Sequence, residues 1–147
     1  MQNKNYHRTL LVDATAGEVI KKINQVDRWW KADFQGMAEK SGDKFTVPFG
    51  APSFVDFVVS EWIPNQKVVW EVTDCYIERF KDKKEWIHTQ VVFELDLKDG
   101  KTEIDFTHVG IGPQCECYAA CEAGWNGHLQ TLTRFINEGV GLAMQER

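Results

Sequence analysis

The chain has no apolar stretch longer than a few residues, Val91-Val92-Phe93 being typical, and nothing that could cross a bilayer as a helix of about 20 apolar residues. Its opening, Met1-Gln2-Asn3-Lys4-Asn5-Tyr6, lacks the apolar run of an export signal, so a soluble, cytoplasmic protein is expected. No segment repeats at solenoid length. Nucleophile elbow, phosphate-cradling glycine loop and metalloprotease helix are all missing, so no catalytic residue is assigned and no cofactor is expected. Basic charge is short as well: 17 Lys and Arg face 22 Asp and Glu, a net of −5. That balance disfavours general phosphate-backbone contact, and nucleic acid is not an expected partner. The densest basic stretch, Arg79 to Lys84, contains Asp82 between Glu78 and Glu85 and reads as a solvated loop.

What the chain does have is apolar mass. With 147 residues, 43% of them hydrophobic, it can bury roughly 70% of its unfolded surface as one domain, residues 1–147, without metal or disulfide staples. Aromatics make up 12%, including six Trp. Trp is awkward to pack and wants its indole N–H satisfied, so part of this excess is expected to line a cavity or an interface. Four cysteines, Cys75, Cys115, Cys117 and Cys121, are expected as free thiols in a chain without an export signal.

Residues 6–12 read as a strand. Thr15 and Glu18 then form a capping box ahead of a short helix that buries Val19, Ile20 and Ile23. Asp27 to Trp30 reads as a further helical turn. Strands are predicted at 34–39, 44–49, 54–63, 67–76, 86–97 and 102–109, with turns at Gly42-Asp43, Pro64-Asn65-Gln66 and Asp99-Gly100. Ile87, Thr89, Val91, Phe93, Leu95 and Leu97 share one face, as do Ile104, Phe106 and His108, while the opposite face is polar. One dry face fits an antiparallel sheet covered on one side. The cover is a C-terminal helix starting near Pro113, with Tyr118, Cys121, Trp125, Leu129, Leu132 and Ile136 on one face and a stop at Gly139. Gly124 and Gly127 predict a break or kink near 123–124, or else admit close approach of another backbone. One helix cannot fill a curved sheet of six or seven strands, so an apolar hollow between them is expected.

This order of elements resembles the START-like helix-grip fold, also called Bet v 1-like, of the SRPBCC superfamily. The chain is similar in particular to stand-alone bacterial domains of the activator of heat-shock protein 90 ATPase homologue 1-like family. The resemblance is carried by Trp29-Trp30, Gly42-Asp43-Lys44-Phe45, Pro64 to Trp70, Phe106-Thr107-His108, Glu116 to Cys121 and Trp125-Asn126-Gly127-His128-Leu129. It implies an α+β fold with a curved antiparallel sheet around a long C-terminal helix and two short helices after the first strand. It also implies a small hydrophobic-ligand cavity under that helix, and a link to a chaperone ATPase and the stress response.

By strand register and helical face, the cavity wall is expected from Phe57, Trp70, Val91, Phe93, Phe106, His108, Tyr118, Cys121, Trp125 and Leu129, and the resemblance implies Trp30 at the pocket mouth. One of Trp29 and Trp30 should plug the core and the other lie half exposed. His108 reads either as a strand-end histidine bonded to the last helix or as a polar anchor for a ligand. Cys117 and Cys121 stand one helical turn apart, with His128 roughly 10 Å farther along the axis. Buried structural thiols are the ordinary reading of this set, and a metal or thiol-redox site the alternative. The leading expectation is noncatalytic binding of a small hydrophobic molecule, lipid-like or aromatic. Its rivals are a module acting on a chaperone ATPase and a cyclase- or hydrolase-type enzyme of the same fold.

Overall fold

The computed structural model describes residues 5–141. The chain begins with β1 (Tyr6–Val12) and two short helices, α1 (Ala16–Asn24) and α2 (Val26–Trp29). A meander follows: β2 (Gln35–Gly36), β3 (Lys44–Pro48), β4 (Phe54–Ile63), β5 (Lys67–Tyr76), β6 (Gln90–Lys98) and β7 (Lys101–Val109). The last element is α3 (Tyr118–Glu138). The strands form one antiparallel sheet in the order β1-β7-β6-β5-β4-β3-β2, the helix-grip arrangement expected from the order of elements. Register irregularities at Asp56/Phe57 and Val59/Glu61 bend the β4–β5 pair, as an extra residue in one strand does. Among the described residues no helix is long and apolar enough to cross a membrane.

Local chemistry explains the element ends. Thr15 Oγ1 accepts from the Glu18 amide at 3.2 Å, and the Glu18 carboxylate accepts from the Thr15 amide at 3.1 Å, completing the capping box of α1. Val19, Ile20 and Ile23 are its buried face. Helix α3 lies across the concave face and is clamped by β1: Tyr6 Oη and Arg8 Nη1 both donate to Asn126 Oδ1, at 2.6 and 3.0 Å. The Asp13 amide donates to Asn137 Oδ1 at 2.8 Å near its other end. Gly139, in the left-handed region at φ 74°, caps it.

Several expectations are corrected. Strand 34–39 shrinks to Gln35–Gly36, because the chain leaves the sheet edge as Ala38 turns into the core. Strand 86–97 starts only at Gln90, since residues up to Thr89 form turns and His88 sits at φ 72°. Leu97 is not on a dry face but 77% exposed, because the β6–β7 hairpin tip projects beyond the helix. Helix α3 has no break at 123–124, as packing over its whole length overrides the glycine penalty. It starts at Tyr118; Pro113 lies in a preceding turn in which the Cys115 amide donates to Gly112 O and the Tyr118 amide to Cys115 O. Trp29 and Trp30 are both buried.

The hollow expected between sheet and helix is confined by ring packing. Trp29, Trp30 and Trp70 stack with centroids 5.9 to 6.4 Å apart. Edge contacts carry the packing on from Trp70 to Phe93 and from Phe93 to Phe106, and Phe106 meets Trp125 of α3 at 4.6 Å. Large rings span the gap between sheet and helix, so the middle of the grip is solid, and an aromatic-walled cavity survives toward one end. Gly110, directly after β7, holds φ +100° with an added Cβ position only 2.9 Å from Thr89 Cγ2. Gly110→Ala is therefore expected to destabilise the fold by about 1–3 kcal/mol, read as a lower urea midpoint in Trp fluorescence.

Candidate functional site

A cavity of about 330 Å³ lies at the end of the sheet beside the first half of α3. Helix α3 contributes Ala120, Cys121, Gly124, Trp125 and His128, one helical face. Position 124 has no side chain, and an added Cβ there meets nothing within 4 Å. Trp30 and Phe49 close the opposite side, 6.0 Å apart. The roof is the β5–β6 connection, through Ile77, Phe80 and Trp86, with the exposed Glu78 and Arg79 toward solvent.

That roof is an arch tied to itself. The Ile77 amide donates to Lys83 O at 2.9 Å, and Lys83 Nζ donates to Glu78 O and Phe80 O at 2.7 and 3.1 Å. Ile77, Phe80 and Trp86 point inward and are buried, while Arg79, Lys81 and Lys84 remain in water. The arch is thus amphipathic residue by residue.

Its inner end is fixed by a buried chain of hydrogen bonds. Trp125 Nε1–H donates to His108 Nδ1 at 3.0 Å. An indole only donates, so the His108 proton sits on Nε2 and is given to Thr89 Oγ1 at 2.9 Å. Thr89 Oγ1–H in turn donates to Trp86 O at 2.6 Å. Both nitrogens of a fully buried ring are satisfied in one tautomer, and a second proton would break the bond from Trp125. Burial pushes His108 down to about 3. Trp86 stacks parallel to Trp125 at 6.1 Å and meets the His108 ring edge-on at 4.6 Å. Its indole N–H donates to Cys121 Sγ at 3.4 Å.

Two other polar groups reach the cavity wall. His128 packs against the rings of both Trp30 and Trp125, and burial, with Lys31 nearby, lowers it to about 4. Cys121 Sγ lies 3.0 Å from Cys117 Sγ. The Cys117 thiol and the Trp86 N–H both favour a Cys121 thiolate, lowering its pKa, whereas the bond to Cys121 and burial push Cys117 up. Cys115 is apart from the pair, its Sγ 3.5 Å from Gly110 O. Among the described residues, no three His, Cys, Asp or Glu side chains converge as metal ligands, so Cys117, Cys121 and His128 do not form a set.

Of the expected wall residues, Trp30, Cys121 and Trp125 line the cavity. Phe57, Trp70, Val91, Phe93, Phe106 and Leu129 instead form the solid core behind it. His108 sits behind Trp125 as the latter's acceptor, the first of its two readings. Tyr118 is half-buried off the cavity, with its hydroxyl 3.3 Å from Glu122 Oε2. Phe49, Ile77, Phe80, Trp86 and Gly124 were missed. The signal for Phe80 and Trp86 was present, two large apolar side chains set in a charged run, but a continuous strand from 86 turns Trp86 to the wet face.

A family model described as Activator of Hsp90 ATPase homolog 1-like protein matches residues 18–137. Among solved structures, the chain is similar to the Aha1 dimer of Colwellia psychrerythraea, with TM-score 0.74 and 22% identity over 92% of this chain and 98% of that one. It is similar to a Mesorhizobium loti protein at TM-score 0.72 and 14% identity, covering 90% and 96% of the two chains. A Staphylococcus saprophyticus protein gives TM-score 0.71 and 12% identity, covering 95% and 96%. At such identities the likeness is one of fold. No curated protein matches the chain.

Protonation of the unfolded chain sets an acid limit. His108 takes up a proton near 6.5 when unfolded and at about 3 when folded, so between these values only the unfolded state is charged. The stability owed to neutral His108 is complete above pH 6.5 and falls toward pH 3, by about 1.4 kcal/mol per pH unit for one proton. His128 acts in the same direction between 6.5 and about 4. His108→Phe should lose about 1–3 kcal/mol at pH 8, where Trp125 and Thr89 lose a partner. It should nevertheless lose less stability than wild type between pH 7.5 and 5, measured by urea midpoints at both values.

Proposed function

The chain belongs to the Activator of Hsp90 ATPase homolog 1-like family, and we propose that it acts without catalysis by holding a small apolar molecule, aromatic or lipid-like, in the cavity beside α3. The observation that carries this reading is the cavity itself: about 330 Å³, walled by Trp30, Phe49, Phe80, Trp86 and Trp125, and kept open by the missing side chain at Gly124. Ligand cavities run from about 300 to 1,000 Å³, so this one suits a compact ring system or short chain. Burying about 200 Å² of apolar ligand surface is worth roughly 5 kcal/mol, enough for sub-millimolar binding before polar contacts are added. His128 on the wall and Arg79 and Glu78 toward solvent supply the few polar groups such sites use for orientation. His108 is held neutral behind Trp125, which speaks against its use as an acid–base group in a cyclase- or hydrolase-type reaction. A cytoplasmic setting belongs to the same reading.

A second reading, contact with an Hsp90-type chaperone that alters its ATP turnover, is supported by the family description and by the exposed cations of the arch. It predicts that Lys81→Glu with Lys84→Glu abolishes stimulation of a cognate chaperone's ATPase while leaving apolar ligand binding intact. Steady-state phosphate release, measured alongside dye binding, checks both halves.

For the cavity, N-phenyl-1-naphthylamine is a suitable fluorescent probe. Gly124→Leu should weaken its binding at least tenfold while keeping or raising the unfolding midpoint, because Gly costs about 1 kcal/mol in a helix interior. Equal affinity in the variant would place the dye elsewhere, and failure of the wild type to take up any apolar compound would end the reading.

A further inference from the structure

The proposed ligand site leaves one chemical feature of its wall unused. Cys117 and Cys121 lie one turn apart with sulfurs 3.0 Å apart, against about 2.05 Å in a disulfide. Cys121 opens onto the cavity and Cys117 does not. Cys117 is the N-cap of α3, with φ −81° and ψ 1°, so the remaining closure falls on the helix's least constrained turn. Two donors favour a thiolate on Cys121, the Trp86 indole N–H at 3.4 Å and the Cys117 thiol. Among the charges around the pair, Arg79 favours that anion and Glu85 opposes it. Reactivity follows the thiolate and its access; both residues are buried from bulk solvent, and Cys121 is the one of the two that meets the cavity.

We propose that Cys117 and Cys121 are a peroxide-reactive thiol pair, with Cys121 attacking a hydroperoxide that enters through the cavity and Cys117 resolving the product as an intrahelical disulfide. The Cys121 thiolate forms a bond to the terminal peroxide oxygen, the O–O bond breaks, and the departing alkoxide takes a proton. Cys121 is thereby oxidised to the sulfenic acid and the hydroperoxide reduced to an alcohol, or to water when the oxidant is hydrogen peroxide. The Cys117 sulfur then attacks the sulfenic sulfur, the S–O bond breaks, and hydroxide leaves with the Cys117 proton as water. Two thiols and one hydroperoxide become one disulfide, one alcohol and one water, and an external dithiol reverses the oxidation. None of this requires an apolar ligand, so it stands or falls separately from the binding reading.

The test uses the full chain and hydrogen peroxide near stoichiometry, followed by alkylation and peptide mass mapping. Wild type and Cys115→Ser should both acquire a Cys117–Cys121 bond that resists alkylation until dithiothreitol is added. Cys117→Ser should stop at the sulfenic acid, trapped by dimedone on Cys121. Cys121→Ser should consume peroxide at least tenfold more slowly and carry no dimedone at Cys117, with circular dichroism confirming that both serine variants are folded. A disulfide to Cys115 or Cys75, dimedone on Cys117 in Cys121→Ser, or four alkylatable thiols in peroxide-treated wild type would each overturn the proposal.

Discussion

The hydrogen-bond chain from Trp125 through His108 and Thr89 to the carbonyl of Trp86 is the constraint on which the rest hangs. It joins the last strand, the closing helix and the arch, three segments that only the sheet brings together. Its direction is fixed end to end because an indole can only donate and a carbonyl can only accept. A buried polar group is costly unless satisfied, and here each member satisfies the next, so the arrangement specifies one geometry instead of many. The parallel stack of Trp86 on Trp125 follows from that geometry, and with it the back of the cavity.

Cavity and solid core are complementary outcomes of the same aromatic excess. Where Trp29, Trp30 and Trp70 stack, and Phe93 meets Trp29, Trp70 and Phe106 edge to face, rings fill the grip. Beyond Trp125 the helix presents Gly124 and the arch lifts away from the sheet, leaving a gap too wide for the remaining side chains. The void is thus lateral, at the mouth of the grip, instead of central. Cys121 and His128 line it as the next small and polar positions on that helical face.

Much of the fold was legible because its signals are local. The Thr15–Glu18 box, the Asp99-Gly100 turn and the alternation of Ile104, Phe106 and His108 each depend on a few neighbouring residues. The site was less legible because it depends on where a strand stops. Ile87 and Thr89 continue the period of β6 without interruption, and only the positive φ of His88 breaks the pleat, which a histidine does not advertise. With that strand ended, Trp86 swings inward and Phe80 joins it, although charged residues surround both. The role of Gly124 was equally hidden, since a helical glycine reads first as a weakness in the helix and only in three dimensions as room.

The indole cluster has an optical consequence. Trp70, Trp29, Trp30, Trp125 and Trp86 form an unbroken series with successive centroid spacings of 4.8 to 6.4 Å. Excitation absorbed by any member migrates among the others before emission, so the near-ultraviolet signature belongs to the ensemble and not to single chromophores. Three of those rings border the void, which makes the whole array a built-in spectroscopic reporter of whatever occupies it.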